Sequence, residues 1–294
     1  MKVKKHCASD RIFYLLVGLI IIIAFFITLL PFMYVIAVSF SDLKAVNRGE
    51  VGIWPVGFTL DGYKQVLGQP KLWRAYYNTL WYTVVGTVCN IIFTVLAAYP
   101  LSRYSFSGRK ALNFFIAFTM YFGGGMIPFY LLMVQLGLYN TRMVMVIPGL
   151  ISTWNVMLCR SAFTEMPNEL VESAQIDGAN DWRILWKIGI PLIKPTLAVV
   201  TMYYAIGHWN DFMTPLIYIN REDLQPLQLL LRRILTQFSD DLMKGVNVIA
   251  ALKSVASVQV RYVTIVVSIA PILAIYPFIQ KYFVKGMMVG AVKG

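Results

Sequence analysis

The chain has 294 residues, 58% hydrophobic and 14% charged, with a formal net charge of +12. Soluble domains carry about a quarter charged residues, so an ordinary soluble fold is excluded and an integral membrane protein is expected. In such a chain the basic excess is read by its distribution among loops, and no nucleic-acid partner is implied.

A helical span needs about 20 apolar residues. Six runs approach that, Ile12 to Phe40, Tyr76 to Leu101, Leu112 to Leu136, Met143 to Leu158, Thr196 to Ile219 and Tyr262 to Phe283. The expected fold is therefore an all-α, six-span membrane domain over 12–284, with short ends at 1–11 and 285–294. The first run is too long for a secretion signal's apolar region, even though Ala37-Val38-Ser39 resembles a cleavage site. It is read as a retained span.

After it comes a turn-rich excursion, 41–73, with Asn47-Arg48-Gly49, Trp54-Pro55 and Asp61-Gly62, and a short helix is expected near Tyr63 to Leu67. The third run contains Gly123, Gly124, Gly125 and Pro128, where it is expected to bend or break. The fourth is the shortest. A second excursion, 220–260, holds Leu227 to Phe238, an amphipathic helix with Arg232 and Arg233 on one face.

Lys2, Lys4, Lys5 and Arg11 precede the first span, Arg103, Arg109 and Lys110 follow the second, and Lys281, Lys285 and Lys293 surround the chain end. The positive-inside bias then puts both termini and the segment 161–195 in the cytoplasm, and both excursions outside. Cys7, Cys89 and Cys159 lack paired spacing and read as small apolar fillers. With only His6 and His208, a histidine metal site is not expected.

The segment between the fourth and fifth runs is polar and helix-forming. Asn168 is placed to cap a helix from Glu169 to Asp177, Gly178 to end it, and Asn180 to cap a second helix reaching Ile188 before Pro191. The pair makes a knob offering small and acidic residues, Glu169, Glu172, Ser173, Ala174 and Asp177 with Gly178 and Ala179 beyond. A solvated amphipathic loop is the plain alternative.

Glu172, Ala174, Gly178, Ile188 and Pro191 have the spacing of the signature carried by permease subunits of binding-protein-dependent ABC importers. Ser173 and Ile190 depart from it conservatively. Together with Asp177-Gly178-Ala179, Trp209-Asn210-Asp211-Phe212 and the ending from Tyr282 to Gly294, they make the chain resemble the carbohydrate-uptake branch. It particularly resembles the second permease subunit of bacterial alginate importers.

The resemblance implies a type I importer permease in the bacterial inner membrane. Its implied partners are a second permease subunit, forming a heterodimer, two ATPase subunits, an extracytoplasmic solute-binding protein, a glycan and membrane lipid. The sequence contains no Gly-x-x-x-x-Gly-Lys-Ser/Thr loop, so no cofactor is expected on this chain. ATP and magnesium belong to the ATPase subunits, and the knob becomes the ATPase-coupling surface.

A substrate path is expected along the polar stripe of the fifth run, Tyr203, Gly207, Asn210 and Thr214, with His208 and Asp211 beside it. Trp154 with Asn155 and Trp209 with Asn210 join aromatic faces to amide groups, as sugar recognition needs. The competing reading makes the aromatics packing or interfacial residues and Asp211 a tie between helices, bonded to Tyr203, Tyr204 or a neighbouring chain. Two other classes remain: a secondary transporter, which predicts internal symmetry that the sequence does not display, and a membrane-embedded enzyme using His208 and Asp211 as acid and base.

Overall fold

The computed structural model describes residues 8–243 and 258–274, and every regular element among them is helical. The amino-terminal lysines with His6 and Cys7, residues 244–257 of the second excursion, the end of the sixth run and the tail 285–294 lie outside the described residues.

The helices are α1 Ala8–Ser39, α2 Leu43–Asn47, α3 Asp61–Leu67, α4 Pro70–Ser102, α5 Arg109–Tyr121, α6 Met126–Gln135 and α7 Thr153–Thr164. They continue as α8 Asn168–Ile176, α9 Asp181–Ile184, α10 Ile190–Leu192, α11 Lys194–Asn210, α12 Met213–Tyr218, α13 Leu227–Met243 and α14 Val258–Ala274. Among the described residues two helices, Ile12–Ser39 and Pro70–Ser102, are long and apolar enough to cross a membrane alone. Two bent pairs, Arg109–Tyr121 with Met126–Gln135 and Asp181–Leu192 with Lys194–Asn210, raise that to four.

The chain divides into two compact units, Met1–Gln69 with Arg233–Ala270, and Pro70–Arg232 with Pro271–Gly294. In the first unit, α1 is apolar all round and unburied from 12 to 36, the pattern of a helix in apolar surroundings on every side. Its end is anchored differently. Ser41 is fully buried; its hydroxyl donates to the Ala37 carbonyl at 2.7 Å and accepts from the Val56 N–H at 3.0 Å.

Asp42 then caps α2 by accepting from the Lys44 N–H at 3.1 Å, a helix not expected from the sequence although its cap residue is plain. Gly57 sits at φ +65°, and a Cβ there would lie 2.9 Å from the Asp42 Cβ. Phe40 stacks on Phe58 and Tyr63, and Gln259 of α14 donates to the Ser41 carbonyl at 2.7 Å.

The second unit is organised by α4, which packs chiefly against α11 and α7. Asn78, Tyr82, Gly86, Asn90 and Thr94 recur every fourth residue and so form one slowly drifting stripe on α4. Each polar member satisfies a group elsewhere. Asn78 donates to the carbonyls of Asp223 and Gln225 at 2.7 and 3.2 Å, and the Tyr82 hydroxyl donates to the Leu224 carbonyl at 2.7 Å.

The third run does break. Gly125 adopts φ +86°, and α5 and α6 meet at 115°. The fourth run is corrected: it holds a 3-10 turn, Arg142–Met145, then non-helical chain until α7 starts at Thr153 and continues to Thr164. Pro148 and Gly149 explain this, since one removes an amide donor and the other weakens a helix. The fifth run begins at Lys194 and is interrupted at Asp211 and Phe212.

Candidate functional site

The knob between the fourth and fifth runs forms, with two local departures. Helix α8 starts at Asn168 itself, after Pro167, and the Asn168 side chain makes no cap bond. Its end is a Schellman arrangement in which Gly178, at φ +76°, donates its N–H to the Gln175 carbonyl at 3.0 Å and Ala179 donates to the Ala174 carbonyl at 2.9 Å.

Asn180 caps α9 by accepting from the Arg183 N–H at 2.9 Å, as expected. The second helix is not continuous to Ile188, because residues 185–189 form a π turn. Gly189 faces Phe163 there, and a Cβ at Gly189 would stand 3.2 Å from that ring.

On α8, Glu169, Glu172, Ser173, Asp177 and Gly178 are exposed, and Ala179 is half-buried. Ala174 is corrected. It lies inward, 9% exposed, beside Val171 in the core cluster containing Val95, Tyr99, Phe163 and Val200. Its smallness lets α8 sit close to α4 and α7 rather than admitting a partner. The outward face is also more apolar than expected: Leu170, Ile176 and Trp182 are exposed, Ile176 by 86%.

A groove of about 820 Å³ runs beside the knob, lined by Tyr99, Arg103 and Phe106 on one side and by Glu172, Gln175 and Trp182 on the other. The Arg103 guanidinium lies 4.6 Å from the centre of the Tyr99 ring, whose edge meets Phe163. The knob is thus fastened to the ends of α4 and α7 by packed side chains.

Along the fifth run, Tyr203, Gly207 and Asn210 share one exposed face of α11, whereas Trp209 is buried at 7%. Trp154 on α7 is 62% exposed, but its neighbour Asn155 is buried at 5%. The expected aromatic–amide pairs are therefore split between surface and interior. Thr214 is half-buried, and its N–H donates to the Asp211 carboxylate at 3.0 Å.

Asp211 thus closes the break between α11 and α12 by capping α12. It does not tie Tyr203 or Tyr204. The His208 Nε2 meets the Asn90 Oδ1 at 2.7 Å, so the two expected members of an acid–base pair have different hydrogen-bond partners. Among the described residues no cluster of three metal-ligating side chains occurs.

The profile of the family described as "Binding-protein-dependent transport system inner membrane component" matches residues 90–289. The chain belongs to this family. Protein LplC of Bacillus subtilis is 41% identical over 91% of this chain and 90% of its own length. The polygalacturonan/rhamnogalacturonan transport system permease protein YtcP of the same organism is 35% identical over 97% of this chain and its whole length.

The fold matches a chain in the crystal structure of a bacterial ABC transporter involved in the import of the acidic polysaccharide alginate, with TM-score 0.88 and 37% identity, covering 96% of this chain and 100% of that one. A second likeness, TM-score 0.54 at 17% identity over 90% of this chain, shows the fold alone; it is to a chain of a bacterial alginate ABC transporter in complex with alginate pentasaccharide-bound periplasmic protein.

The type I permease fold accounts for the broken spans. Two of the interruptions, at 146–152 and at Asp211, are satisfied by side chains of this chain, as non-helical backbone within a membrane requires. Asn90 donates to the carbonyls of both Gly149 and Leu150, and the Tyr204 hydroxyl accepts from the Ser152 N–H at 3.1 Å while sharing a hydrogen with Thr94 at 2.8 Å. Asn90, Thr94 and Tyr204 were absent from the expected site. The signal for Asn90 and Thr94 was the four-residue recurrence of polar groups in an otherwise apolar second run; Tyr204 had none of that kind.

Proposed function

We propose that this permease imports an oligo- or polysaccharide into the bacterial cytoplasm, an acidic glycan such as alginate being the substrate class best supported. It works as one of two permease subunits in the inner membrane, beside two ATPase subunits and an extracytoplasmic binding protein. The observation that carries the reading is the near-complete likeness, at 37% identity and TM-score 0.88, to a chain of an alginate importer. The polygalacturonan/rhamnogalacturonan permease at 35% identity supports the same acidic class.

In this reading the exposed face of α8, with Glu169, Glu172, Ser173 and Asp177, meets the ATPase. Leu170 and Ile176 add apolar area, while Val171 and Ala174 transmit its movement to α4, α7 and α11 through the shared core. Six spans, both termini and residues 161–195 inside, and excursions 41–73 and 220–260 outside complete the proposed arrangement. Trp154, Tyr203, Gly207 and Asn210 face the path, with Asn155, Trp209, Asp211 and Thr214 supporting it.

The test uses the reconstituted complex with a panel of neutral and uronic oligosaccharides on the binding protein. Uronic glycans are expected to stimulate ATP hydrolysis and uptake, and Glu172→Lys is expected to reduce both at least tenfold. Stimulation by neutral glycans alone would overturn the substrate class. Unchanged hydrolysis and uptake in Glu172→Lys would overturn the coupling surface.

A further inference from the structure

The polar side chains buried between α4 and α11 form a chain of directed hydrogen bonds. The Asn90 amide nitrogen spends both hydrogens on backbone, one on the Gly149 carbonyl and one on the Leu150 carbonyl. Its oxygen must therefore be the group facing His208, and at 2.7 Å an oxygen can only accept. This assigns the hydrogen: His208 carries it on Nε2. The imidazole comes close enough only because Gly86 has no side chain, since a Cβ there would lie 2.5 Å from Nε2.

Asn90 is fully buried and has no second way to satisfy its oxygen among these partners. If the imidazole leaves, the amide is free to turn and release one or both carbonyls. Those carbonyls belong to the non-helical segment 146–152, which has no helical ladder of its own. Three residues later the Ser152 N–H is held by Tyr204, one turn before His208 on the same helix. The exit into α7 is thus held directly from α11 by Tyr204 and from α4 by Asn90, whose oxygen His208 of α11 meets.

We propose that His208 is a positioning residue that, through Asn90, fixes the backbone of 149–152 and so the point from which α7 projects Trp154 and Asn155. Movement of α11, which follows α9 and α10 directly from the knob, is thereby passed to the α7 entrance by hydrogen bonds as well as packing. The effect on transport rests on the path reading of Trp154; the effect on the backbone does not.

The experiment compares His208→Gln, His208→Asn, His208→Ala and Gly86→Ala in the assembled full-length complex. A glutamine amide nitrogen reaches the Nε2 position and an asparagine nitrogen does not. Hydrogen exchange at Leu150 to Thr153 is expected to quicken about fivefold in the Asn and both Ala variants and to stay within about twofold in the Gln variant. Exchange near Asn78, at the start of α4 and bonded elsewhere, stays unchanged.

Equal exchange in the Gln and Ala variants, or no change in any, would overturn the proposal. Uptake is measured in parallel on Trp154→Ala. Normal uptake there would sink the path reading while leaving the exchange result to decide on His208.

Discussion

Three positions show how single residues set local geometry. Gly178 has open space around it, so its requirement is conformational alone, at φ +76°. Gly178→Ala is expected to destabilise the knob by about 1–2 kcal/mol through left-handed strain, seen as weaker ATPase coupling with unchanged chain expression. Gly57 combines positive φ with a 2.9 Å approach to Asp42, so Gly57→Ala is expected to cost more than Gly178→Ala in thermal unfolding. At Ser41, the buried hydroxyl bonds both Ala37 and Val56. Ser41→Ala strands the Val56 N–H and is expected to cost about 1–3 kcal/mol, read from the melting temperature in detergent.

Among the elements, the interrupted fifth run is the most informative. A carboxylate within a span looks functional, yet Asp211 accepts from the Thr214 N–H and starts α12. An asparagine oxygen can accept the same bond. Asp211→Asn is therefore expected to keep stability, whereas Asp211→Ala loses about 1 kcal/mol, measured by thermal unfolding of the complex. For α8, the inward Val171 and Ala174 and the outward Ile176 make opposite predictions. Ile176→Ala is expected to weaken ATPase-subunit association in a pull-down without lowering the melting temperature, because Ile176 is 86% exposed. Phe163→Ala removes a fully buried ring that joins α7 to Tyr99 and the knob, and is expected to cost about 3–5 kcal/mol.

At the scale of the whole molecule, the permease has a helical knob and a polar stripe, and its sequence carries no phosphate loop. The purified chain alone is expected to hydrolyse no ATP above background, and hydrolysis should appear only when ATPase subunits are added. The membrane class, the Gly125 break, the Gly178 and Asn180 signals and the exposed acids of α8 were legible because each depends on neighbours close in sequence: runs of apolar residues, caps, and glycine's access to positive φ. The split of Trp154 from Asn155, the inward turn of Ala174, and the partners of Asp211 and His208 were not. An apolar span gives few periodic contrasts, so sequence does not tell which side meets protein. What the sequence determined by itself was where helices start, stop and carry charge; what only the tertiary structure decided was which polar groups meet across them, because Asn90, Gly149 and His208 are brought together by helix packing over long stretches of chain.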